Sequence, residues 1–299
     1  MSKTLKILSR PKGNAEEYGR WSVNPYIGCS HGCLYCYLKK GPSGAYLGQD
    51  KPVLKKGVVN EEHAIHLAMT EIYANYEEII RDGGLFMTFT SDPCTEKTLK
   101  IFFEIALESA RDLRIPVTIL TKSTDFINHW RYMDIASGSL DRDGMVKPRL
   151  SFGWTLTGHD ELEPNASPND KRINTMRLVS ANGFKTWASI EPVIDFPSSL
   201  DMIYQALNAG CQHFKIGLLT NNTRVVRKDF QIGEYQFNAY DVRDLLHFIE
   251  DVMRMTSGKA TVYWKQSVRD LLGTDLETKI DEYPHSVSKD WSMFASDVR

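Results

Sequence analysis

From about residue 20 onward, short strand-like runs alternate with longer helical patterns, and this alternation leaves few possible folds. The strand candidates cover seven ranges: 20–24, 85–90, 116–122, 150–157, 185–192, 213–219 and 260–266. Helical patterns fall between them at 61–82, 96–113, 124–136, 168–183, 199–210 and 239–258. Repeated strand–helix units predict an α/β fold with a parallel sheet and right-handed crossovers. No repeat or long linker divides the chain, so we expect one domain over 1–299, with a core at about 18–220 and a C-terminal extension at about 221–299.

Within the strand candidates, apolar residues alternate with small or polar ones. In the candidate at 150–157, Leu150, Phe152 and Trp154 share one face, whereas Gly153 and Thr155 lie on the other. A parallel sheet covered by helices on both faces would read as continuous Val, Ile and Leu instead. The pattern predicts a mostly parallel, curved sheet with helices outside, enclosing a cavity for a polar ligand; a sheet wetted on one face is the alternative. In either case we expect ligands at the carboxyl ends of the strands.

The charge balance and hydropathy exclude several classes of protein. With 36 Lys and Arg against 38 Asp and Glu, the net charge is −2, so the chain lacks a general basic field for nonspecific nucleic-acid binding. A local basic patch at Lys39, Lys40, Lys51, Lys55 and Lys56 is one interpretation of that stretch, and a solvated surface loop is the other. Neither a signal-peptide pattern nor a membrane-spanning apolar run is found, which predicts a cytoplasmic protein without membrane contact.

Three of the five cysteines lie in one short loop, with the spacing Cys29-x3-Cys33-x2-Cys36. Disulfide frameworks belong to small secreted domains, so metal binding or redox chemistry is the better interpretation. Structural zinc sites close four protein ligands, and a partner pair is missing because Cys94 and Cys211 stand alone. Three cysteines can instead ligate three irons of a [4Fe–4S] cube, which leaves one iron open for another ligand.

The longer string N-P-Y-x-G-C-x-H-G-C-x-Y-C-Y, which begins at Asn24, resembles the radical S-adenosylmethionine (SAM) superfamily and, within it, the spore photoproduct lyase-like branch. The resemblance covers about 18–220 and implies a partial (β/α)6 barrel with a [4Fe–4S] cluster on Cys29, Cys33 and Cys36. It further implies that the open iron binds SAM and that reductive cleavage yields a 5′-deoxyadenosyl radical, which abstracts hydrogen from a substrate. An external electron donor of the flavodoxin or ferredoxin type is then the expected partner.

The resemblance also implies positions for SAM-binding residues at strand ends. Ser91 and Asp92 resemble the pair that lies near the SAM amino group, and Lys122 resembles the lysine that pairs with the SAM carboxylate. Thr155 occupies the position of a hydroxyl that faces ribose or methionine. Without the resemblance, Ser-Asp-Pro reads as a turn or helix cap, and Lys122 reads as a solvent-exposed lysine.

Tyr35 and Tyr37 flank the third cysteine. In the branch that the loop resembles, tyrosines here are linked to SAM contact or hydrogen transfer, so we assign Tyr35 to cofactor binding and Tyr37 to catalysis, with plain packing as the alternative. Glu191 ends the fifth strand candidate and suits a ribose hydroxyl or the substrate, which makes it a second candidate catalytic residue. A buried carboxylate there needs a partner, for which Lys215 and Lys265 are the candidates.

The remaining signals concern a loop and the substrate. The segment 163–172 resembles the E-P-x-x-x-x-P segment of the same branch, so Glu163 and Arg172 either order a loop over the site or form an ordinary surface ion pair. Two later segments, ASIEPVID and VYWKQSV, resemble an uncharacterised, often phage-encoded radical SAM-like family. Phe89 stands where photoproduct lyase carries its hydrogen-donating cysteine, which argues against thymine-dimer repair.

The sequence therefore does not identify the substrate. A nucleic acid or nucleotide is the first candidate, by analogy with the nearest characterised branch, and the reaction class is lyase-like or a modification. The alternative function is a noncatalytic module in which the cysteines hold a structural iron–sulfur cluster or zinc.

Overall fold

The computed structural model describes residues 5–129, 147–221 and 224–273, together with Leu276. In chain order, its strands are β1 (Leu8–Ser9), β2 (Ser22–Val23), β3 (Tyr26–Ile27), β4 (Val53–Leu54), β5 (Leu85–Met87), β6 (Val117–Thr121), β7 (Leu150–Thr155), β8 (Lys185–Val193), β9 (His213–Leu218), β10 (Thr220–Asn221), β11 (Arg224–Val225), β12 (Phe230–Ile232), β13 (Tyr235–Phe237) and β14 (Thr261–Trp264). Each of the seven predicted strand ranges contains one of these strands.

Eight strands form the main sheet, in the order β1-β2-β5-β6-β7-β8-β9-β14. Strand β1 is antiparallel to β2, and every other neighbouring pair in this sheet is parallel. The parallel strands follow one another in chain order, as they do when each crossover helix packs on the same face of a sheet. The predicted α/β partial barrel with a mostly parallel sheet and outer helices is therefore confirmed. Strand β14 belongs to this sheet although it lies in the segment predicted as a C-terminal extension.

All but the last of the helices lie between the parallel strands along the chain. They are α1 (Gly44–Leu47), α2 (Glu61–Ala74), α3 (Tyr76–Arg81), α4 (Leu99–Arg111), α5 (Asn169–Ala181), α6 (Phe196–Asn208), α7 (Val242–Thr256) and α8 (Gln266–Leu272). The helix predicted at 61–82 is divided at Asn75, which ends α2 and precedes α3. Of the helix predicted at 124–136, Asp125–His129 is a 3-10 helix; the rest lies outside the described residues.

The two faces of the sheet bury different kinds of side chain. On the outer face, Phe152 and Trp154 are fully buried and belong to the large core that includes residues of α4 and α5. On the inner face, Thr155 and Ser189 are also buried, at 4% and 1% exposure, so the alternative of a sheet wetted on one face is wrong. The predicted alternation of apolar and small polar residues thus follows the two sides of a curved sheet.

An N-terminal segment fills part of the interior. A 3-10 helix at Gly13–Glu17 precedes Tyr18, whose ring packs against Phe86 of β5 and Trp187 of β8. The Glu17 carbonyl accepts a hydrogen bond from Lys215 Nζ at 2.8 Å. The segment therefore contacts both early and late strands of the sheet and occupies space that the sequence pattern assigned to a cavity.

Two short antiparallel pairs lie beside the sheet. Strand β3, directly before the cysteine loop, pairs with β4, and β12 pairs with β13 to form a hairpin. Among the described residues, no helix is both long enough and apolar enough to cross a membrane.

Candidate functional site

The three clustered cysteines line one pocket in the loop that follows β3. All three are free thiols, with Cys33 buried and Cys29 and Cys36 half-buried. Two glycines shape the loop. Gly28 has φ +83°, and a Cβ there would lie 2.6 Å from the Lys51 carbonyl oxygen; Gly32 has φ +70°. Larger residues would therefore both strain and crowd the loop at these positions.

The environment of the thiols opposes negative charge. Burial, followed by the negative charge of Asp92, raises the pKa of Cys29 to about 12, and burial also raises the pKa of Cys33. Thiolate ligands at these positions therefore need the positive charge of a metal group. Within the described residues, no three His, Cys, Asp or Glu side chains converge on a point that could hold a single metal ion. An iron–sulfur cube places its ligands at separate corners, so cysteines that surround a pocket fit it in chemical type and arrangement.

Asp92, which follows β5, uses its whole carboxylate within the protein. Oδ1 accepts hydrogen bonds from the Cys94 N–H at 2.9 Å and from the Thr121 hydroxyl at 2.7 Å. Oδ2 lies 2.9 Å from His31 Nε2 and accepts from the Lys122 N–H at 2.8 Å. A carboxylate offers about four lone-pair sites, so these four partners fill it. Asp92 thus links the cysteine loop, through His31, to the ends of β5 and β6.

These bonds decide the charge of Asp92. Burial alone would raise its pKa, but the charge of His31 and the hydrogen bonds to the carboxylate outweigh burial and lower the pKa to about 2. The group is therefore an anion at neutral pH, held by partners of the same protein.

Beside Asp92, three predicted SAM-binding groups have fewer polar partners within the protein. The Ser91 Oγ is buried and has no hydrogen-bond partner, and no hydrogen bond to the Thr155 hydroxyl is found among the described residues. Lys122 Nζ lies 3.9 Å from Glu163 Oε1 and 5.5 Å from the centre of the Tyr35 ring. Burial works against the lysine charge, but the charges of Cys33 and Glu163 outweigh it and raise the pKa of Lys122. A hydroxyl and a cation thus stay available at adjoining strand ends.

Glu163 and Arg172 form an ion pair at 2.5 Å, and both side chains are fully buried. The alternative of a surface ion pair is therefore wrong. Arg172 also donates to the Thr155 carbonyl at 2.9 Å, and the Tyr35 hydroxyl donates to Glu163. Burial, together with the Glu163 charge, raises the pKa of Tyr35 well above its usual value. This network connects the cysteine loop to the end of β7.

The two candidate catalytic residues lie in different surroundings. The Tyr37 side chain is 64% exposed, and its hydroxyl donates to the Phe89 carbonyl beyond the end of β5. The Glu191 carboxylate, on β8, accepts two hydrogen bonds from Lys265 Nζ, at 2.6 and 2.7 Å, and another from the Tyr18 hydroxyl. Lys265, one of the two lysines predicted as partners of Glu191, thus binds it.

The sequence interpretation missed Tyr18 and a second polar cluster. His159, after β7, lies between Asp195 at 2.5 Å and Glu161 at 2.7 Å. The ring of Tyr235, in the β12–β13 hairpin, meets His159 edge to face at 4.9 Å. Asp195 reaches His159 only through the fold, because it is 36 positions away in the sequence, whereas Glu161 is two positions away.

The fold is shared with a known protein at low sequence identity. No family model matches the chain. An uncharacterized protein of Methanocaldococcus jannaschii is 25% identical over 203 residues, which are 62% of this chain and 64% of that protein, so the match spans less than two thirds of the relative. The crystal structure of SuiB from Streptococcus suis superposes with a TM-score of 0.50 at 11% identity, over 84% of this chain and 51% of SuiB. A second structure of SuiB, bound to S-adenosylmethionine, gives a TM-score of 0.48 at 12% identity, over 81% and 49% of the two chains. The likeness to SuiB is one of fold.

Proposed function

We propose that this chain is a radical SAM enzyme in which Cys29, Cys33 and Cys36 hold a [4Fe–4S] cluster beside a SAM-binding site. The observation that carries the proposal is the pocket lined by three free cysteines at the strand ends of a partial barrel. When bound, the cluster and SAM supply a 5′-deoxyadenosyl radical that abstracts hydrogen from the substrate. The fold shared with about half of SuiB fits this proposal.

The residues next to the pocket divide into contact and positioning roles. Ser91 offers an unpaired hydroxyl to the SAM amino group, and Lys122 offers a cation to the SAM carboxylate. Thr155 presents its hydroxyl to the ribose or methionine part. Asp92 has no free lone pair, so its role is to fix the cysteine loop and the ends of β5 and β6 rather than to bind the ammonium directly. Tyr35 has a similar role, because its hydroxyl is bound to Glu163.

Tyr37 and Glu191 are the proposed catalytic residues on the substrate side. Tyr37 lies next to the third cysteine and is mostly exposed, so a substrate that enters over the strand ends would meet its ring. Glu191 keeps 27% side-chain exposure while Lys265 holds its position. A carboxylate fixed in this way accepts hydrogen bonds from hydroxyl or amide groups without moving. We propose a lyase-like or modification reaction on a nucleic acid or nucleotide, driven by an external electron donor.

Anaerobic reconstitution with iron and sulfide tests the proposal. We expect about four irons per chain, a broad visible absorption that bleaches with dithionite, and release of 5′-deoxyadenosine from SAM. The variants Cys29→Ala, Cys33→Ala and Cys36→Ala should each lose the cluster and SAM cleavage.

Cys211→Ser is the matched control, because serine keeps a hydrogen bond to the His213 carbonyl that Cys211 makes at 3.2 Å. It should bind the cluster as the wild type does. Stoichiometric zinc without SAM cleavage would instead show a noncatalytic module.

A further inference from the structure

The segment after the third cysteine forms an outer wall of the cysteine pocket. Leu38, Lys39, Leu47 and Gly48 line the pocket from this side. Gln49 completes the wall: its carbonyl accepts a hydrogen bond from the Cys29 N–H at 3.0 Å, and the residue is exposed to solvent. At this point a solvent-exposed residue therefore directly contacts a candidate cluster ligand. We call residues 37–51 the basic wall.

The charge of this region is opposite to that of the whole chain. Residues 37–51 contain three lysines and one aspartate, a net charge of +2, whereas the chain carries −2. Lys39 pairs with Asp50 at 2.6 Å. The half-buried Lys40 and the exposed Lys51, which adjoin this pair along the chain, have no acidic partner among the described residues. Two unpaired cations therefore stand next to the contact that closes the wall.

The same region exposes large apolar side chains. Tyr37 is 64% exposed and Tyr46 is 51% exposed, and Leu34 and Val53, just outside the wall, are 46% and 41% exposed. Protein interfaces commonly place aromatic residues at the centre and charged residues around them. The basic wall has both components, so it has the composition of a docking surface for an acidic partner.

We propose that the basic wall is where an acidic one-electron carrier protein docks to reduce the cluster; this inference rests on the proposed function. One electron leaves the reduced carrier and enters the cluster. The carrier is oxidised by one electron, and no bond is formed or broken. Residues of the wall line the cysteine pocket, so a carrier bound there brings its redox centre close to the cysteines.

A nucleic-acid strand is the other polyanion that two lysines and two tyrosines could bind. The position of the wall favours the carrier. Most of the groups proposed to meet SAM and substrate, among them Ser91, Thr155 and Glu191, follow or lie on strands of the main sheet, whereas the wall contributes no strand to that sheet. Tyr37, the first residue of the wall, is the exception. The residues of the wall contact the cysteine loop instead.

Charge reversal tests the docking surface. The double variant Lys40→Glu/Lys51→Glu removes the two unpaired cations. The matched control, Arg177→Glu/Lys259→Glu, changes net charge equally at exposed sites far along the chain, in the second half of α5 and just before β14. Binding of an oxidised flavodoxin of strongly acidic isoelectric point is measured by calorimetry at low salt, with the full chain. We expect Kd to rise about tenfold or more in the wall variant and less than about twofold in the control.

A second readout separates docking from chemistry. SAM cleavage driven by reduced flavodoxin should fall in the wall variant, whereas cleavage driven by dithionite, which needs no docking surface, should stay at the wild-type rate. Equal flavodoxin affinity in wall variant and control would overturn the proposal. So would loss of affinity for a labelled single-stranded DNA with flavodoxin binding unchanged. If the wild type cleaves no SAM with dithionite, the proposed function fails, and the binding comparison still decides whether the surface exists.

Discussion

The two sides of the barrel interior treat their polar groups differently. Near the ends of β5 and β6, the Ser91 hydroxyl is buried without a hydrogen-bond partner in the part of the chain that the structure describes, and Lys122 lies 3.9 Å from the Glu163 carboxylate. Across the interior, Glu191 on β8 is bound by both Tyr18 and Lys265, which follows β14. The first side keeps more of its hydrogen-bonding capacity for a ligand, whereas the second uses most of its capacity within the protein.

We call the side near the ends of β5 and β6 the open side, and the side with Glu191 the closed side. The open side keeps its unpaired groups because hydrogen bonds and a buried ion pair hold the surrounding strand ends and loop in a rigid frame. An unpaired buried hydroxyl costs free energy, so a flexible site would collapse to satisfy it. Asp92 fixes the strand ends through four hydrogen bonds, and the buried Glu163–Arg172 pair fixes the loop after β7. The stability of the frame and the availability of Ser91 and Lys122 are thus linked.

The largest expected effect comes from breaking the frame. Arg172→Met should lower the free energy of unfolding by about 3–5 kcal/mol, because Glu163 would keep an uncompensated buried charge. Urea denaturation followed by circular dichroism measures the change. Arg177→Met, at an exposed position of the same helix, is the control and should stay within about 0.5 kcal/mol of the wild type. A loss below about 1 kcal/mol for Arg172→Met would show that the pair is not part of the frame.

Acid should weaken the frame through Asp92. Its pKa is about 2 in the folded protein, against about 3.9 in an unfolded chain. A depressed folded-state pKa gives stability that is complete above the unfolded value and is lost as the pH falls through the folded value. The contribution at neutral pH is about 2–3 kcal/mol, and it declines between about pH 4 and pH 2. Urea midpoints across this range should show a shallower slope for Asp92→Asn, and an unchanged slope would contradict the assignment.

A double-mutant cycle compares the two sides directly. Coupling between Glu191 and Lys265, measured with Glu191→Gln, Lys265→Met and the double variant, should be about 1 kcal/mol, since the 27% exposure of Glu191 screens the pair in part. The same cycle on Lys122 and Glu163, with Lys122→Met and Glu163→Gln, should give a smaller coupling because the charged atoms are 3.9 Å apart. Stronger coupling at Lys122 would reverse the comparison, since that lysine would then be committed to the protein.

The sequence predicted what local patterns encode. All seven parallel strands were found because alternation with period two and repeated strand–helix units are visible in short windows. The three-cysteine loop was found for the same reason. The break at Asn75 carried a local signal too, since asparagine favours helix ends, but it stood inside a long apolar pattern.

What the sequence could not show depends on distant contacts. Tyr18 meets Ser189 across 171 positions, in a segment with no periodicity. The four partners of Asp92 are spread from His31 to Lys122, so no window reveals that its carboxylate is fully used. The cluster of His159 and Asp195 is likewise assembled by two strand ends. Residue types at strand ends thus indicated where a site lies, but only the fold shows which of them remain available.

The smallest and most specific effect concerns Ser91 itself. Ser91→Ala removes a buried hydroxyl that has no partner, so the free energy of unfolding should stay unchanged or rise slightly. SAM affinity, measured by calorimetry on the reconstituted protein, should fall by about ten- to a hundredfold, the equivalent of one hydrogen bond to a charged group. Ser109→Ala is the matched control, because Ser109 in α4 also has a buried hydroxyl without a partner but lies in the helical layer. If both variants bind SAM as the wild type does, the unpaired hydroxyl of Ser91 is a packing feature, and the open side loses the group that most distinguishes it from the closed one.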